Sequence, residues 1–143
     1  MLNNLSHYYQ ITYICDVSQQ ALEHCSKKIA GGPPKTATSP EELITSPDTD
    51  VVVICNVNAF HPAQAILALQ HNKYVLVEKP LALNYRDLDA IIAAEKTSEA
   101  KVFVAYQRRY AEAFLDALKE VESMDKIEYI RVRGKLTIRC AKI

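Results

Sequence analysis

Two short apolar runs constrain the fold of this chain most: DVVVIC at residues 50–55 and YVLV at residues 74–77. Each has the length of a strand and is too short for a buried helix. A strand without polar alternation is typical of a parallel sheet that helices cover on both faces. Helical patterns follow both runs, so strands and helices alternate. This order predicts an α/β fold with a doubly wound, Rossmann-like parallel sheet.

The remaining segments continue the alternation. Further strands are expected at residues 10–18 and 101–106, with a short one between the first two helices. Helices are expected at residues 18–30, 39–44, 61–72, 85–97 and 108–123. Ser18 and Asn84 are predicted N-caps, and Ser39 with Glu42 forms a predicted capping box. The GGPP sequence at residues 31–34 predicts a turn.

The last segment has a different pattern. Residues 127–138 alternate apolar and polar side chains, which is typical of an antiparallel strand with one wetter face. We therefore expect one domain over residues 1–125 and, at residues 126–143, the start of a second domain with a mixed or antiparallel sheet.

The composition argues against several classes of partner. Lys and Arg number 17, as do Asp and Glu, so the formal net charge is zero and no general attraction to nucleic acid or membranes is expected. No apolar run is long enough to cross a membrane, and the N-terminus does not resemble a signal peptide. The cysteines form no CxxC pair, so neither a metal site nor a disulfide framework is predicted. A cytoplasmic protein with buried free thiols at Cys15 and Cys55 is expected.

Polar residues stand where the predicted strands end, and ligands of open parallel sheets bind beyond those ends. Asp16 closes the first strand, where an acid either accepts hydrogen bonds from ribose hydroxyls or caps the next helix. Asn56, Asn58 and His61 follow the DVVVIC run. They fit contacts with a nucleotide, but also ordinary turn and helix-start chemistry.

The YVLV run ends in Glu78, Lys79 and Pro80. A lysine after a buried strand is costly unless its ammonium group reaches a cleft or a partner. Lys79 can bond a substrate hydroxyl and assist proton transfer, with Glu78 pairing with it and orienting it. The alternative is an ordinary surface Glu–Lys pair in a turn.

The strand at residues 101–106 is followed by Gln107 and Arg109. The amide can bond a ribose or another amide, and the guanidinium can brace a carboxylate or hydroxyls. The alternative is a solvated helix start.

Three segments together resemble one family: DVS after the first strand, ICNVNAFHPAQAILALQHNKYVLVEKPLAL at residues 54–83, and VFVAYQRRY at residues 102–110. The chain is similar to the glucose-fructose oxidoreductase, inositol dehydrogenase and rhizopine-catabolism (Gfo/Idh/MocA) family of NAD(P)-dependent oxidoreductases. The similarity extends from about Ile11 to the end. An EKP triplet at a strand end, after N-x-x-H and before a strand-end arginine, is a specific combination.

The resemblance implies a role for each matching residue. Asp16 corresponds to the ribose-binding acid, so the implied cofactor is NAD or NADP, with NAD slightly favoured because a carboxylate repels a 2′-phosphate. Lys79 corresponds to the lysine beside the nicotinamide and the substrate, and is the expected catalytic residue as well as a cofactor contact. The other implied cofactor contacts are Asn56, Asn58, His61, Glu78, Pro80, Gln107 and Arg109.

The resemblance also implies the reaction, which is hydride transfer between a nicotinamide ring and a hydroxyl carbon of a sugar, polyol or diol. The cofactor supplies the hydride chemistry. Family members often associate, so a homo-oligomer is compatible with the resemblance.

Two departures from the family indicate an incomplete enzyme. A G-x-G-x-x-G fingerprint should precede the acid by about 20 residues, but counting back from Asp16 passes the N-terminus, and Gly31, Gly32 and Gly134 lie elsewhere. We expect the first strand of the sheet to be lacking, with a gap or an exposed edge in its place. The resemblance thus implies that residues 1–125 are an incomplete NAD(P)-binding Rossmann domain and that residues 126–143 are the first strand of a truncated α+β substrate domain. A fragment, from a partial gene model or a degenerated copy, is therefore expected.

Two other functions fit the same residues. The first is a non-catalytic ligand-sensing or regulatory protein on the same fold, which the missing glycine loop favours and Lys79 disfavours. The second is a structural partner that completes its sheet with another chain. Concentration-dependent dimerisation without cofactor binding would indicate the second.

We predict that the purified 143-residue chain does not oxidise NADH with sugars, ketoses or diol-derived ketones, because it lacks the loop that holds the pyrophosphate. Loss of NADH absorbance measures this, with a full-length inositol dehydrogenase as the positive control. Oxidation above the protein-free rate would contradict the prediction.

Overall fold

The computed structural model of the chain describes residues 6–129 and residue 131. The chain divides into two compact units, the first ending at Tyr106 and the second beginning at Gln107. The strands of the first unit are β1 (Tyr13–Cys15), β2 (Lys35–Ala37), β3 (Val51–Ile54), β4 (Tyr74–Val77) and β5 (Val102–Val104). Its helices are α1 (Gln19–Ser26), α2 (Pro40–Thr45), α3 (His61–Gln70) and α4 (Tyr85–Thr97).

These strands form two parallel sheets. β1 pairs with β2, and β4 lies between β3 and β5 in a second sheet. Among the residues described, no ladder joins β1 to β3. The predicted α/β Rossmann-like fold is confirmed. The expected interruption of the sheet is present as the separation of β1–β2 from β3–β4–β5.

The main core lies on one face of the β3–β4–β5 sheet. Every second residue of β3 and β4 points into it, and α3 and α4 cover that face. Its buried members include Val52, Ile54, Val75, Val77, Ala65, Ala68, Leu69 and Ile91. Each large aliphatic side chain in this set contributes about 1.5–3 kcal/mol by leaving water. This packing holds the strands in register and so fixes where their ends lie.

The opposite face of that sheet is partly exposed, so the prediction that both faces are covered is wrong for the residues described. Val51 and Val53 on β3 are 47% and 43% exposed, and Tyr74 on β4 is 53% exposed. β-branched and aromatic residues suit strand geometry even on a half-exposed face. Cys55 is exposed too, in contrast to its predicted burial, because β3 ends at Ile54 and the chain has left the core.

Two of the predicted helix caps are confirmed. The Ser18 hydroxyl accepts a hydrogen bond from a backbone N–H in the first turn of α1, and the Asn84 Oδ1 accepts one from the Asp87 N–H at 2.9 Å. The capping box at Ser39 is wrong. Its hydroxyl donates to the Glu41 carboxylate and makes no bond to the helix backbone, because a charged acceptor lies within reach.

The second unit contains a 3-10 turn (Gln107–Tyr110) and helix α5 (Glu112–Glu122). The predicted helix at residues 108–123 is therefore interrupted, because Ala111 has an extended backbone (φ −73°, ψ 133°). Residues 127–129 have no regular structure, and apart from Arg131 the rest of the strand predicted there lies outside the described residues. The domain boundary near residue 126 stays a prediction. In the described part of the chain, no helix has both the length and the hydropathy to cross a bilayer.

We predict that Asn84→Ala lowers the free energy of unfolding by about 1 kcal/mol, because it removes the N-cap bond of α4. Ser39→Ala is the matched control and should change it by less than about 0.5 kcal/mol, since its side chain caps no backbone group. Urea unfolding followed by circular dichroism measures both variants. Equal losses would contradict this assignment of the caps.

Candidate functional site

The carboxyl ends of β3, β4 and β5 lie side by side, because main-chain hydrogen bonds continue past the strands. The Glu78 N–H donates to the Ile54 carbonyl at 2.9 Å, and the Ala105 N–H donates to the Val77 carbonyl at 2.8 Å. The residues that follow β3 and β4 are therefore neighbours at one edge of the sheet. Ligands bind at this edge in open α/β sheets.

The loop after β3 presents two exposed asparagines, Asn56 and Asn58. Asn58 begins a 3-10 turn, Asn58–Phe60, which leads directly into α3. The Asn56 Nδ2 donates to the Gln64 Oε1 at 3.0 Å. This bond holds the Asn56 amide against the first turn of α3.

His61 is the first residue of α3 and is fully buried, with 0% of its surface exposed. Its Nδ1 lies 2.9 Å from the Pro80 carbonyl oxygen, and its Nε2 lies 3.2 Å from the Asn56 carbonyl oxygen. The ring thus spans the two loops that leave β3 and β4. Both ring nitrogens contact the main chain of the protein, so the ring has no polar atom left for a ligand.

Lys79 is exposed at the end of β4, and the residues on both sides of it are anchored. Glu78 continues the ladder to β3, and the Pro80 carbonyl contacts His61. The Glu78 carboxylate accepts a hydrogen bond from the Lys79 backbone N–H at 3.2 Å. Lys79 is in none of the salt bridges of the described residues, so Glu78 holds its main chain instead of pairing with its ammonium group as the sequence suggested.

An open cleft of about 410 Å³ adjoins this edge. It is formed by the segment that follows Lys79 together with residues of α4 and the end of β5. Its lining includes Pro80, Leu83, Tyr85, Leu88, Val104 and Tyr106. The lining is largely apolar and contains aromatic rings, which is the usual character of a site for a small organic group.

Asp16 lies at the carboxyl end of β1, in the two-stranded sheet. It is exposed, and its Oδ1 accepts a hydrogen bond from the Ser18 N–H at 2.8 Å. The carboxylate therefore braces the turn into α1, while the Ser18 side chain caps the helix. Burial raises the pKa of the Cys15 thiol next to it, and the negative charge of Asp16 adds to that rise.

Of the residues predicted from sequence, the structure brings together Asn56, His61, Glu78, Lys79 and Pro80, with Asn58 in the same loop. Gln107 and Arg109 are exposed in the 3-10 turn of the second unit. Among residues 6–129 and 131, no group of three or more His, Cys, Asp or Glu side chains could hold a metal ion.

Sequence reasoning missed Gln64, which fixes the Asn56 amide. The signal for it was its spacing: Gln64 is three positions after His61, and residues three apart lie on the same face of a helix.

A sequence model described as "Oxidoreductase family, NAD-binding Rossmann fold" (Gfo/Idh/MocA) matches residues 1–106. The chain belongs to this family. It is 32% identical over 110 residues to a myo-inositol 2-dehydrogenase of Thermotoga maritima, and the match covers 77% of this chain and 32% of that protein. The family resemblance of the sequence is thereby confirmed.

Solved structures of the Gfo/Idh/MocA type have the same fold. A probable dehydrogenase from Thermotoga maritima is similar with a TM-score of 0.76 and 30% identity, over 83% of this chain and 36% of that one. A levoglucosan dehydrogenase in complex with NADH and levoglucosan gives a TM-score of 0.70 and 25% identity, over 78% of this chain and 30% of that one. The chain thus spans about a third of the length of its relatives (32% and 36% for the two Thermotoga proteins).

We predict that Cys15 reacts with a small thiol reagent more slowly than Cys25 and Cys55 at neutral pH. The thiolate is the reactive form, and the raised pKa of Cys15 keeps its thiol protonated to higher pH. Pulsed alkylation followed by peptide mass spectrometry measures the three rates, with the exposed Cys25 and Cys55 as internal controls. A Cys15 rate equal to theirs would contradict the prediction.

Proposed function

We propose that this chain forms the cofactor-binding part of an NAD(P)-dependent oxidoreductase that acts on a hydroxyl carbon of a sugar, polyol or diol. The observation that carries the proposal is the exposed Lys79 at the carboxyl edge of the sheet, between two anchored residues, in a chain of the Gfo/Idh/MocA family. A bound nicotinamide would supply the hydride acceptor or donor.

The polar side chains at the carboxyl ends of the strands fit most parts of a dinucleotide. The exposed Asp16 carboxylate, at the end of β1, suits ribose hydroxyls. The amides of Asn56 and Asn58 suit hydrogen bonds with a ribose or a carboxamide. The 143 residues contain no glycine-rich loop for the pyrophosphate, so the affinity of this chain for the cofactor is expected to be low.

Lys79 is the proposed catalytic residue. In the reductive direction hydride adds to the carbonyl carbon, and the ammonium group of Lys79 donates the proton that the oxygen acquires. In the oxidative direction the amine takes that proton back. Glu78 contributes indirectly, since its carboxylate holds the Lys79 backbone N–H. Pro80 is a proposed cofactor neighbour, because it lines the apolar cleft.

NAD is the proposed cofactor in preference to NADP. The negative charge of Asp16 at the end of β1 disfavours the 2′-phosphate of NADP at short range. The same acid accepts hydrogen bonds from the two free hydroxyls of the NAD ribose.

The names of the relatives support the proposed substrate class, since inositol and levoglucosan dehydrogenases are among them. Gln107 and Arg109 are proposed cofactor contacts on the sequence pattern alone. Association of copies of the chain and a second domain beginning near residue 126 also remain proposals. The unbridged thiols of Cys15, Cys25 and Cys55 support a cytoplasmic location.

A non-catalytic ligand-sensing role on the same fold is the second candidate, and NADH binding without turnover would favour it. A structural role in which another chain completes the sheet is the third. The separate β1–β2 and β3–β4–β5 sheets, with Val51 and Val53 half-exposed, favour that role.

We predict that NADH, added to the isotope-labelled chain, shifts the NMR signals of the backbone amides at the carboxyl edge, such as Asp16, Asn58 and Lys79. Amides at the opposite edge, such as Asn72 and Ser98, should not shift. NADPH should bind more weakly than NADH, because its 2′-phosphate meets the Asp16 carboxylate.

The matched variants for this titration are Asp16→Ser and Asp50→Ser. Asp16→Ser should bring the affinities for NADH and NADPH closer together. Asp50→Ser removes an exposed carboxylate at the amino end of β3 and should leave their ratio unchanged. Shifts confined to the amino edge, or no shifts at millimolar NADH, would contradict the proposed cofactor site. Dimerisation without any NADH shift would favour the structural role.

A further inference from the structure

We infer that His61 is a positioning residue for Lys79, and that it acts by clamping the carbonyl groups of Pro80 and Asn56 instead of contacting the cofactor. The inference rests on the proposed function only in the catalytic role it gives to Lys79. The clamp itself rests on the contacts of the ring. Its tests are therefore independent of cofactor binding.

Burial is the first part of the argument. The ring of His61 is 0% exposed, so a ligand at the surface of the sheet edge cannot reach it. A polar ring in the core is costly unless its nitrogens find partners. Here each nitrogen faces a backbone carbonyl oxygen, Nδ1 at 2.9 Å from that of Pro80 and Nε2 at 3.2 Å from that of Asn56, and a proton on the facing nitrogen makes the contact a hydrogen bond.

The position of Pro80 connects the ring to Lys79. The backbone on the N-terminal side of Lys79 is held by the Glu78 N–H bond to the Ile54 carbonyl. On the C-terminal side, the contact from His61 to the Pro80 oxygen is the corresponding anchor. With both flanking residues held, the Lys79 side chain leaves the sheet edge from one fixed point. Removal of the His61 anchor frees the C-terminal side directly and leaves the Glu78 N–H bond at the frayed end of the ladder.

The two carbonyl partners indicate which ring nitrogen of His61 carries a proton. Both partners are backbone carbonyls, which only accept hydrogen bonds, and a neutral imidazole has one N–H. The shorter contact belongs to Nδ1, so the structure assigns a proton to Nδ1. A second proton on Nε2 would add the bond to the Asn56 oxygen without disturbing the first.

Nitrogen-15 NMR of the His61 ring in the unmodified chain tests this assignment directly, since protonated and unprotonated ring nitrogens give well-separated signals. We expect a protonated Nδ1, whatever the state of Nε2. A ring that carries its proton on Nε2 alone would overturn the clamp. This measurement needs no variant and no cofactor.

Two variants test whether the clamp positions Lys79. His61→Leu keeps an apolar side chain of moderate size but removes the ring nitrogens, whereas His61→Asn can place an amide N–H near the position of Nδ1. We expect an order parameter of about 0.85 for the Lys79 amide in the unmodified chain and in His61→Asn, and a value below about 0.6 in His61→Leu. Hydrogen exchange at Glu78 should be about tenfold faster in His61→Leu, as expected for loss of an adjacent hydrogen bond.

Val75 is the internal control, because its N–H bonds the Lys101 carbonyl at the other end of the same strand. Its order parameter and exchange rate should stay the same in both variants. If Val75 and Glu78 change equally, or if His61→Asn behaves like His61→Leu, the ring has a general structural role and the inference is wrong. A failure of NADH to bind would refute the proposed function while leaving the results on the clamp unchanged.

Discussion

The contact of one buried imidazole with two backbone carbonyls is the interaction on which the candidate site depends. His61 lies where α3 begins, and its ring joins the loop after β3 to the loop after β4. A second connection between the two strand ends is the ladder bond from Glu78 to Ile54. The apolar packing of β3, β4, α3 and α4 brings these ends together. The contacts of the ring then fix the positions of the Asn56 and Pro80 carbonyl groups.

The first unit has two parts that differ in burial: a buried apolar base and a polar edge at the carboxyl ends of the strands. The base is the buried set on one face of the sheet, in which Val75, Val77, Ala68 and Leu69 have at most 2% of their surface exposed. The edge carries Asn56, Lys79 and other groups that face water and cost little to keep there. This arrangement is what a binding site on an α/β scaffold requires, since loops at strand ends can carry chemistry without weakening the core.

Local signals in the sequence were sufficient for several elements. β4 and α4 have the predicted bounds, because a polar break or the Asn84 cap marks their ends. Other predictions were wrong because a side chain bonded a different partner from the one expected. The Ser39 hydroxyl has a carboxylate within reach and so does not cap its helix. The exposure of Val53 depends on which elements cover that face of the sheet, and the exposure of Cys55 depends on where β3 ends. The apolar pattern of a strand contains neither piece of information.

The places of the candidate residues along the chain, after predicted strands, could be read from the sequence, but their contacts with one another could not. The alternation of strands and helices predicts that Asn56 and Lys79 each follow the end of a strand. The burial of His61 and its two carbonyl contacts arise only when α3 packs against the sheet, so a motif cannot reveal them. The most direct measurement of the central claim is the set of intermolecular NOEs between NADH and the labelled chain. The account predicts NOEs from the nicotinamide protons to the Lys79 side chain. NOEs that connect the nicotinamide only to the amino edge of the sheet would contradict it.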